Sequence, residues 1–166
     1  MIPIILGNTC SLIAMAIDSI SSSRKTAREV LLVQALGQVF YGLAATFLKG
    51  YSAVVQNVIS ILRNLTAIRE KESKYIEWIL IVLAVALGIA FNNLGIIGLF
   101  PVIANLEYSL AILKFKDNER ALKIAFAINI AMFTVFNAVI WNIVGLISNI
   151  VVVATTVTFL VKTRKK

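Results

Sequence analysis

The segment "KGYSAVVQNVISILRN", Lys49 to Asn64, decides the fold because it combines two properties that rarely occur together. Its apolar residues are frequent enough for a helix inside a lipid bilayer, yet it also contains Gln56, Asn57 and Arg63. Polar side chains are costly in lipid and face protein or water when they occur in a membrane helix. The polar residues of this segment therefore belong to a loop, to contacts between helices or to the wall of a binding site.

The composition of the whole chain is typical of an integral membrane protein. Of its 166 residues, 60% are hydrophobic and 14% are charged, and the mean hydropathy is +0.92. A soluble domain is nearer 45–50% apolar. At about 20 residues per span, this length allows roughly seven membrane helices and no additional soluble domain. We therefore predict an all-α integral membrane fold.

The first apolar segment and the rare residue types exclude several alternatives. No basic region precedes the segment 2–20 and no small-residue cleavage pattern follows it, so we predict a retained first span rather than a signal peptide. Cys10 is the only cysteine and histidine is absent, which removes internal disulfides and the commonest general base. We expect no enzyme activity, no cofactor, no bound metal and no nucleic-acid partner.

The spacing of apolar and charged segments predicts seven spans and their orientation. The predicted spans are 2–20, 30–48, 51–68, 75–92, 95–114, 121–140 and 142–162. Every second connection is basic, and Lys49 is the only basic residue in the other connections. Short basic loops stay in the cytoplasm, which predicts an external N-terminus and a cytoplasmic C-terminus. The net charge of +8 thus reflects topology, and these loops are also expected to contact anionic lipid headgroups.

An internal repeat appears when the chain is shifted on itself by 92 residues. The second and third spans then coincide with the sixth and seventh, and Asn57 coincides with Asn149. The fourth span, in contrast, has no polar side chain over 79–91. We predict a 3+1+3 plan with parallel repeats: a first three-helix bundle (1–72), a linker helix (73–93) and a second three-helix bundle (94–166). Such repeats commonly bind a solute between them near the bilayer midplane.

The polar residues of the spans are candidate contacts for a small polar solute. An axis between the two bundles would bring Asn57 and Asn149 to face each other across a central cavity. The other predicted substrate-binding residues lie on the same spans or on the second, fifth and sixth: Gln38, Tyr41, Gln56, Asn105, Glu107, Tyr108, Asn129 and Ser148. The alternative for each amide and hydroxyl is a hydrogen bond between helices, worth about 0.6 kcal/mol on average.

Three charged residues near or inside the spans have competing interpretations. Glu107 lies deep in its predicted span, where it could carry a proton, pair with Arg63 or bind a cationic solute. Arg63 could instead extend to the nearby interface. Asp18 could pair with Arg24 or Arg63. Pro101 is expected to kink the fifth span and to free a backbone carbonyl near Glu107.

Three segments resemble the YgjV-type bacterial inner membrane proteins: "GQVFYGLAATFLKGYSAVVQNVISILRN" (37–64), "GLFPVIANLEYSLAIL" (98–113) and "NIVGLISNIVVVATTVTFL" (142–160). The resemblance covers most of the chain and implies a multi-pass protein of the bacterial inner membrane. The plan is also similar to that of the SWEET, PnuC-type and PQ-loop transporters. In SWEET-like proteins an Asn on the last helix of each bundle helps to bind substrate, and Asn57 and Asn149 match that pattern.

These observations favour a facilitator that moves a small polar solute, such as a vitamin, nucleoside or sugar, by alternating access between the two bundles. The alternative is a receptor or assembly factor on the same scaffold that transports nothing. An intramembrane enzyme is third, because the residues of a catalytic set are missing. A homo-oligomer is compatible with either of the first two.

Overall fold

The computed structural model describes residues 1–21, 24, 26–68, 73–115 and 118–164. These residues form seven α-helices and one short 3-10 helix, and none of them forms a strand, so the prediction of an all-α fold is confirmed. The helices are α1 (Ile2–Ser21), α2 (Ala27–Phe47), α3 (Tyr51–Ile68), α4 (Lys74–Ala90), the 3-10 helix (Ile97–Leu99), α5 (Phe100–Phe115), α6 (Glu119–Val139) and α7 (Ile143–Arg164).

Five of the described helical segments are long and apolar enough to cross a membrane. They are α1, α2, α6, α7, and α5 together with the 3-10 helix before it. The remaining two fall short for different reasons: α3 contains three amides and a guanidinium, and α4 has only 17 residues. The chain is therefore a multi-pass membrane protein, and the crossing of the bilayer by α3 and α4 stays a prediction.

Six of the helices form a closed ring, and the seventh packs outside it. Each helix contacts the next in the order α1, α2, α3, α5, α6, α7, and α7 contacts α1 again. The helix α4 contacts α3 and α5 from the outer side. This arrangement agrees with the entirely apolar middle of α4, which has nothing to offer a polar interior.

The α2–α3 and α6–α7 hairpins close with the same backbone geometry. Lys49 has a φ of 59° and Trp141, which lies 92 residues later, has a φ of 61°. In both turns the N–H of the following residue donates to the carbonyl five residues before it, at 2.8 Å for Gly50 and 2.9 Å for Asn142. Two non-glycine residues in the left-handed region are uncommon, so their coincidence indicates equivalent turns.

The same two hairpins also begin alike. The side chain of Thr26 accepts a hydrogen bond from the Glu29 N–H at 3.2 Å, at the start of α2. The side chain of Asn118 accepts one from the Ala121 N–H at 3.0 Å, at the start of α6, again 92 residues later. Each side chain satisfies one of the helix's four N–H groups that lack an intrahelical partner.

An apolar cluster closes the ring at the end where these tight turns lie. This turn-end cluster consists of Ala45, Leu48, Ala53, Phe136 and Ile140, with Val54, Leu94, Ile97 and Phe100 packed against it. Phe136 is only 1% exposed and lies directly over Gly50, where an added Cβ would be 2.7 Å from its Cζ. We call this side of the protein the turn end and the opposite side the loop end.

One sequence-based expectation about the fifth span, the kink at Pro101, is wrong. The predicted span 95–114 corresponds to the helical segment Ile97–Phe115, whose first three residues form the 3-10 helix. Pro101 is consequently the second residue of α5 and does not kink it. A proline in the first turn removes no helical hydrogen bond and has a φ suited to the helix, so this position favours straight continuation.

We predict that Gly50→Ala destabilises the protein by about 1–3 kcal/mol, the usual cost of adding a methyl group to a packed site. The added Cβ would overlap the Phe136 ring. The measurement is denaturant unfolding in detergent micelles. Gly42→Ala is the control, since its Cβ would meet only Asn57 Cβ at 3.7 Å. Phe136→Leu should partly rescue Gly50→Ala, and equal stabilities for the two alanine variants would contradict this packing.

Candidate functional site

A polar cavity of about 630 Å³ lies inside the helix ring. All six ring helices contribute to its wall, and α4 contributes none of the described lining residues. Phe136 and Ile140 of the turn-end cluster form one end of the cavity. At the other end the lining includes Asp18, Arg63 and Ser19, of which Ser19 is exposed at the loop end.

Eight of the ten predicted binding residues line this cavity. They are Gln38, Tyr41, Asn57, Asn105, Tyr108, Asn129, Ser148 and Asn149. They come from α2, α3, α5, α6 and α7, so the fold brings together side chains that are distant in the sequence. Their contact with a solute stays a prediction, but their common location is what that prediction requires.

Gln56 lies outside the cavity and connects three helices instead. Its side chain is 1% exposed, its Nε2 donates to the Ala84 carbonyl at 2.9 Å, and its Oε1 accepts from Asn105 Nδ2 at 3.0 Å. Successive residues of a helix point about 100° apart. Asn57 therefore faces the cavity while Gln56 faces α4, and the described contacts of Gln56 are structural, so its predicted solute contact has no support from the cavity wall.

Glu107 also lies outside the cavity wall, although its neighbours Asn105 and Tyr108 are part of it. Two residues after Asn105 on a helix, Glu107 points about 200° away from it. Pairing with Arg63, one of the three interpretations of Glu107, does not occur in the described structure, where Glu107 Oε2 has no hydrogen-bond partner. Arg63 itself lines the cavity.

Asp18 lies close to Tyr41 and forms no ion pair with an arginine within the described residues. The Tyr41 hydroxyl on α2 interacts electrostatically with the Asp18 carboxylate on α1, but Asp18 Oδ1 has no hydrogen-bond partner among the described residues. Asp18 Oδ1 lies against Gly37, where an added Cβ would be 2.5 Å from it. This glycine lets α1 and α2 approach closely at the edge of the cavity.

The sequence interpretation did not include the aromatic side of the cavity. Phe126, Phe133 and Phe136 of α6 line it, and the Phe126 ring lies 5.9 Å from that of Tyr108 between centroids. The sequence does contain a pattern that places these rings on the cavity side. Phe126, Asn129, Phe133 and Phe136 recur at helical spacing and so share one face of α6. Apolar residues at that spacing are ordinary for a buried helix face, and only the polar members suggested a site.

Many polar side chains of the cavity have no hydrogen-bond partner in the described part of the protein. Asn129 Nδ2 and Ser11 Oγ are fully buried and unpaired, and the amides of Gln34, Gln38 and Asn149 make no hydrogen bond to another described residue. Buried polar groups normally find a partner, since leaving one unpaired costs about 1–3 kcal/mol. Such groups can form hydrogen bonds with water or with a polar solute.

A ring of apolar helices around such a cavity defines a multi-pass membrane protein with an internal polar site. The chain belongs to the Imp-YgjV family, described as bacterial inner membrane protein, which matches residues 5–166. This confirms both the sequence resemblance and the location in the bacterial inner membrane. No curated protein and no solved structure matches the chain.

We predict that Gln56→Leu lowers stability by about 1–3 kcal/mol, because it removes two buried hydrogen bonds that join α3 to α4 and α5. Thermal unfolding in detergent measures the effect. Thr158→Val is the control, since that hydroxyl is exposed and bonds only to its own helix. If Gln56→Leu unfolds no earlier than Thr158→Val, the bridge is not structural and Gln56 returns as a solute contact.

Proposed function

We propose that the protein moves a small polar solute across the inner membrane and that the cavity inside the helix ring binds this solute. The observation that carries the proposal is the set of unpaired amides and hydroxyls around a space of about 630 Å³. Sites for small molecules usually have about 300–1,000 Å³ and a few convergent polar groups. An interior of this kind is costly in a membrane protein that serves only as a scaffold.

The wall favours a solute without net charge. Its charged residues are Asp18 and Arg63, whose formal charges are of opposite sign. The remaining polar groups are amides and hydroxyls, which both donate and accept hydrogen bonds. Tyr108, Phe126 and Phe133 add aromatic surface on one side. This combination suits a sugar, or a nucleoside or vitamin with a planar ring.

The mechanism that we propose is alternating access between two three-helix units. The ring order α1–α2–α3 followed by α5–α6–α7 is the order expected for two equivalent units, and the two hairpins share their turns and caps. These facts support the 3+1+3 plan, with units at 1–72 and 94–166 joined by the linker 73–93. Rocking of one unit against the other would expose the cavity to each side in turn.

A receptor that binds the solute without transporting it is the second candidate. The closed turn end favours it, since the described cavity reaches exposed residues only at the loop end. Counterflow of a labelled solute in proteoliposomes separates the two, because a receptor binds the solute but produces no flux. We propose no catalytic activity for either, since the sequence has no histidine and a single cysteine.

We predict that Asn57→Ala and Asn149→Ala each weaken solute binding by about tenfold to a hundredfold, because each leaves a group of the solute unpaired. The solute is first found by thermal shift of the purified protein against a panel of nucleosides, sugars and vitamins, since a ligand of the folded state raises the midpoint. Titration of the ligand found in this way into each variant then gives the change in affinity.

Two further measurements distinguish a role of Asn57 and Asn149 in solute binding from a role in stabilising the fold. The double variant should lose much less than the product of the two single losses if both amides contact one group of the solute. Protein yield and unfolding midpoint without ligand should hardly change, because such amide contacts are individually weak in membranes. Loss of folding with normal affinity in the surviving protein would assign both residues a structural role.

The topology that we propose places the turn end outside and the loop end in the cytoplasm, following the basic loops. In a Cys10→Ser background, an impermeant thiol reagent added to spheroplasts should label Ile96→Cys, which is 79% exposed at the turn end. It should not label Ser73→Cys or Asn118→Cys until the membrane is permeabilised. Labelling of Ser73→Cys in sealed spheroplasts would rule out this topology.

A further inference from the structure

An asparagine of the first helix connects directly to the last hairpin. Asn8 on α1 donates from its Nδ2 to the Trp141 carbonyl at 2.9 Å, and its Oδ1 accepts from the Val144 N–H at 3.0 Å. The Trp141 carbonyl belongs to the left-handed residue of the α6–α7 turn, and Val144 is the second residue of α7. One side chain thus binds the turn and the start of the following helix at once.

A second asparagine makes the same connection to the other hairpin. Asn93, in the connection before α5, donates from its Nδ2 to the Lys49 carbonyl at 2.7 Å, and its Oδ1 accepts from the Tyr51 N–H at 3.3 Å. Lys49 is the left-handed residue of the α2–α3 turn, 92 residues before Trp141, and Tyr51 is the first residue of α3. We call Asn8 and Asn93 with their bonds the two asparagine clamps.

The local chemistry explains why asparagine stands at both positions. The first N–H groups of a helix have no intrahelical acceptor, and Gly50, which precedes α3, has no side chain to supply one. An amide offers a donor and an acceptor on one short side chain, which alanine does not. Aspartate would keep the acceptor for the N–H group and lose the donor for the carbonyl.

Both clamps lie where the two halves of the ring meet at the turn end. Asn8 connects α1 to α7, which are neighbours in the ring but come from opposite halves of the chain. Asn93 precedes Leu94, which packs on the turn-end cluster. Each clamp therefore holds a hairpin of one half against an element outside that half, next to the apolar cluster that closes the cavity.

We propose that the two asparagine clamps hold a gate closed at the turn end. Breaking the hydrogen bonds of both clamps lets the cavity open on that side. This inference rests on the proposed transport function, since a gate matters only if the cavity opens to both sides. The bonds join turns to neighbouring elements rather than residues within one helix. They can break while the seven helices stay intact, which is what a gate requires.

The test measures access to the cavity from each end. In a Cys10→Ser background, Ser148→Cys on the cavity wall serves as the reporter, and an impermeant maleimide is added to right-side-out or inside-out vesicles. Ile96→Cys in matched vesicles identifies which preparation exposes the turn end. Asn8→Ala with Asn93→Ala should raise the labelling rate from the turn end about tenfold or more, the factor that corresponds to 1.4 kcal/mol.

Milder variants keep the test decisive if the double alanine variant does not fold. Asn8→Asp and Asn93→Asp retain the acceptor at the helix start, where a negative charge is favourable, and lose the bond to the turn carbonyl. Asn8→Asp also loses the bond from Nδ2 to the Ile4 carbonyl of its own helix. Combined in one chain, the two aspartate substitutions should raise the turn-end rate by a smaller factor than the double alanine variant. Asn118→Ala is the matched control, since it removes an asparagine cap at the loop end of α6.

The outcomes separate the gate from a structural role and from the transport proposal. An unchanged turn-end rate in the double aspartate variant would overturn the inference, and so would an equal rise in Asn118→Ala, which would indicate general loosening. The labelling needs no solute. If the labelling rate rises as expected but the protein shows no solute flux, the gate is supported and the transport proposal is ruled out. If the protein shows flux but the labelling rate is unchanged, the transport proposal is supported and the gate is ruled out.

Discussion

The structure depends on one constraint, namely that a polar group buried in a lipid bilayer must find its partner within the protein. Helices satisfy this constraint for the backbone, but the ends of helices do not. The two tight hairpins meet it with caps, with a backbone bond across each turn and with an asparagine side chain from elsewhere in the ring. Among the described residues, the buried side-chain atoms without a partner that line the cavity belong to Ser11, Asp18 and Asn129, and this concentration is the basis of the proposed site.

The sequence predicted the fold and much of the cavity wall because both follow from local periodicity. Seven apolar segments with alternating basic connections give the helices, and the shift of 92 residues aligns the two hairpins before any contact is known. Asn57 and Asn149 were singled out by that shift, and both line the cavity. Composition and spacing were sufficient because membrane helices leave few alternatives.

The errors of the sequence interpretation have a common physical origin. Gln56 and Asn57 are adjacent in the chain and equally polar, and only packing decides which of them faces α4. Pro101 was expected to bend a helix, but the chain begins the helix beside it. The contacts of Asn8 and Asn93 span more than 40 residues and could not be read from any local pattern. Helix rotation and long-range contacts are properties of the assembled ring.

The close contact between Gly50 and Phe136 has a consequence for the symmetry of the ring. Under the shift of 92 residues, Gly50 corresponds to Asn142 and Phe136 corresponds to Ala44, so the large and the small member of the pair come from different halves. Two copies of the first half would place alanine beside glycine and leave a gap. Two copies of the second half would press a phenylalanine ring against an asparagine. At this contact each half is therefore complementary to the other rather than to itself, and two copies of either half would not reproduce it.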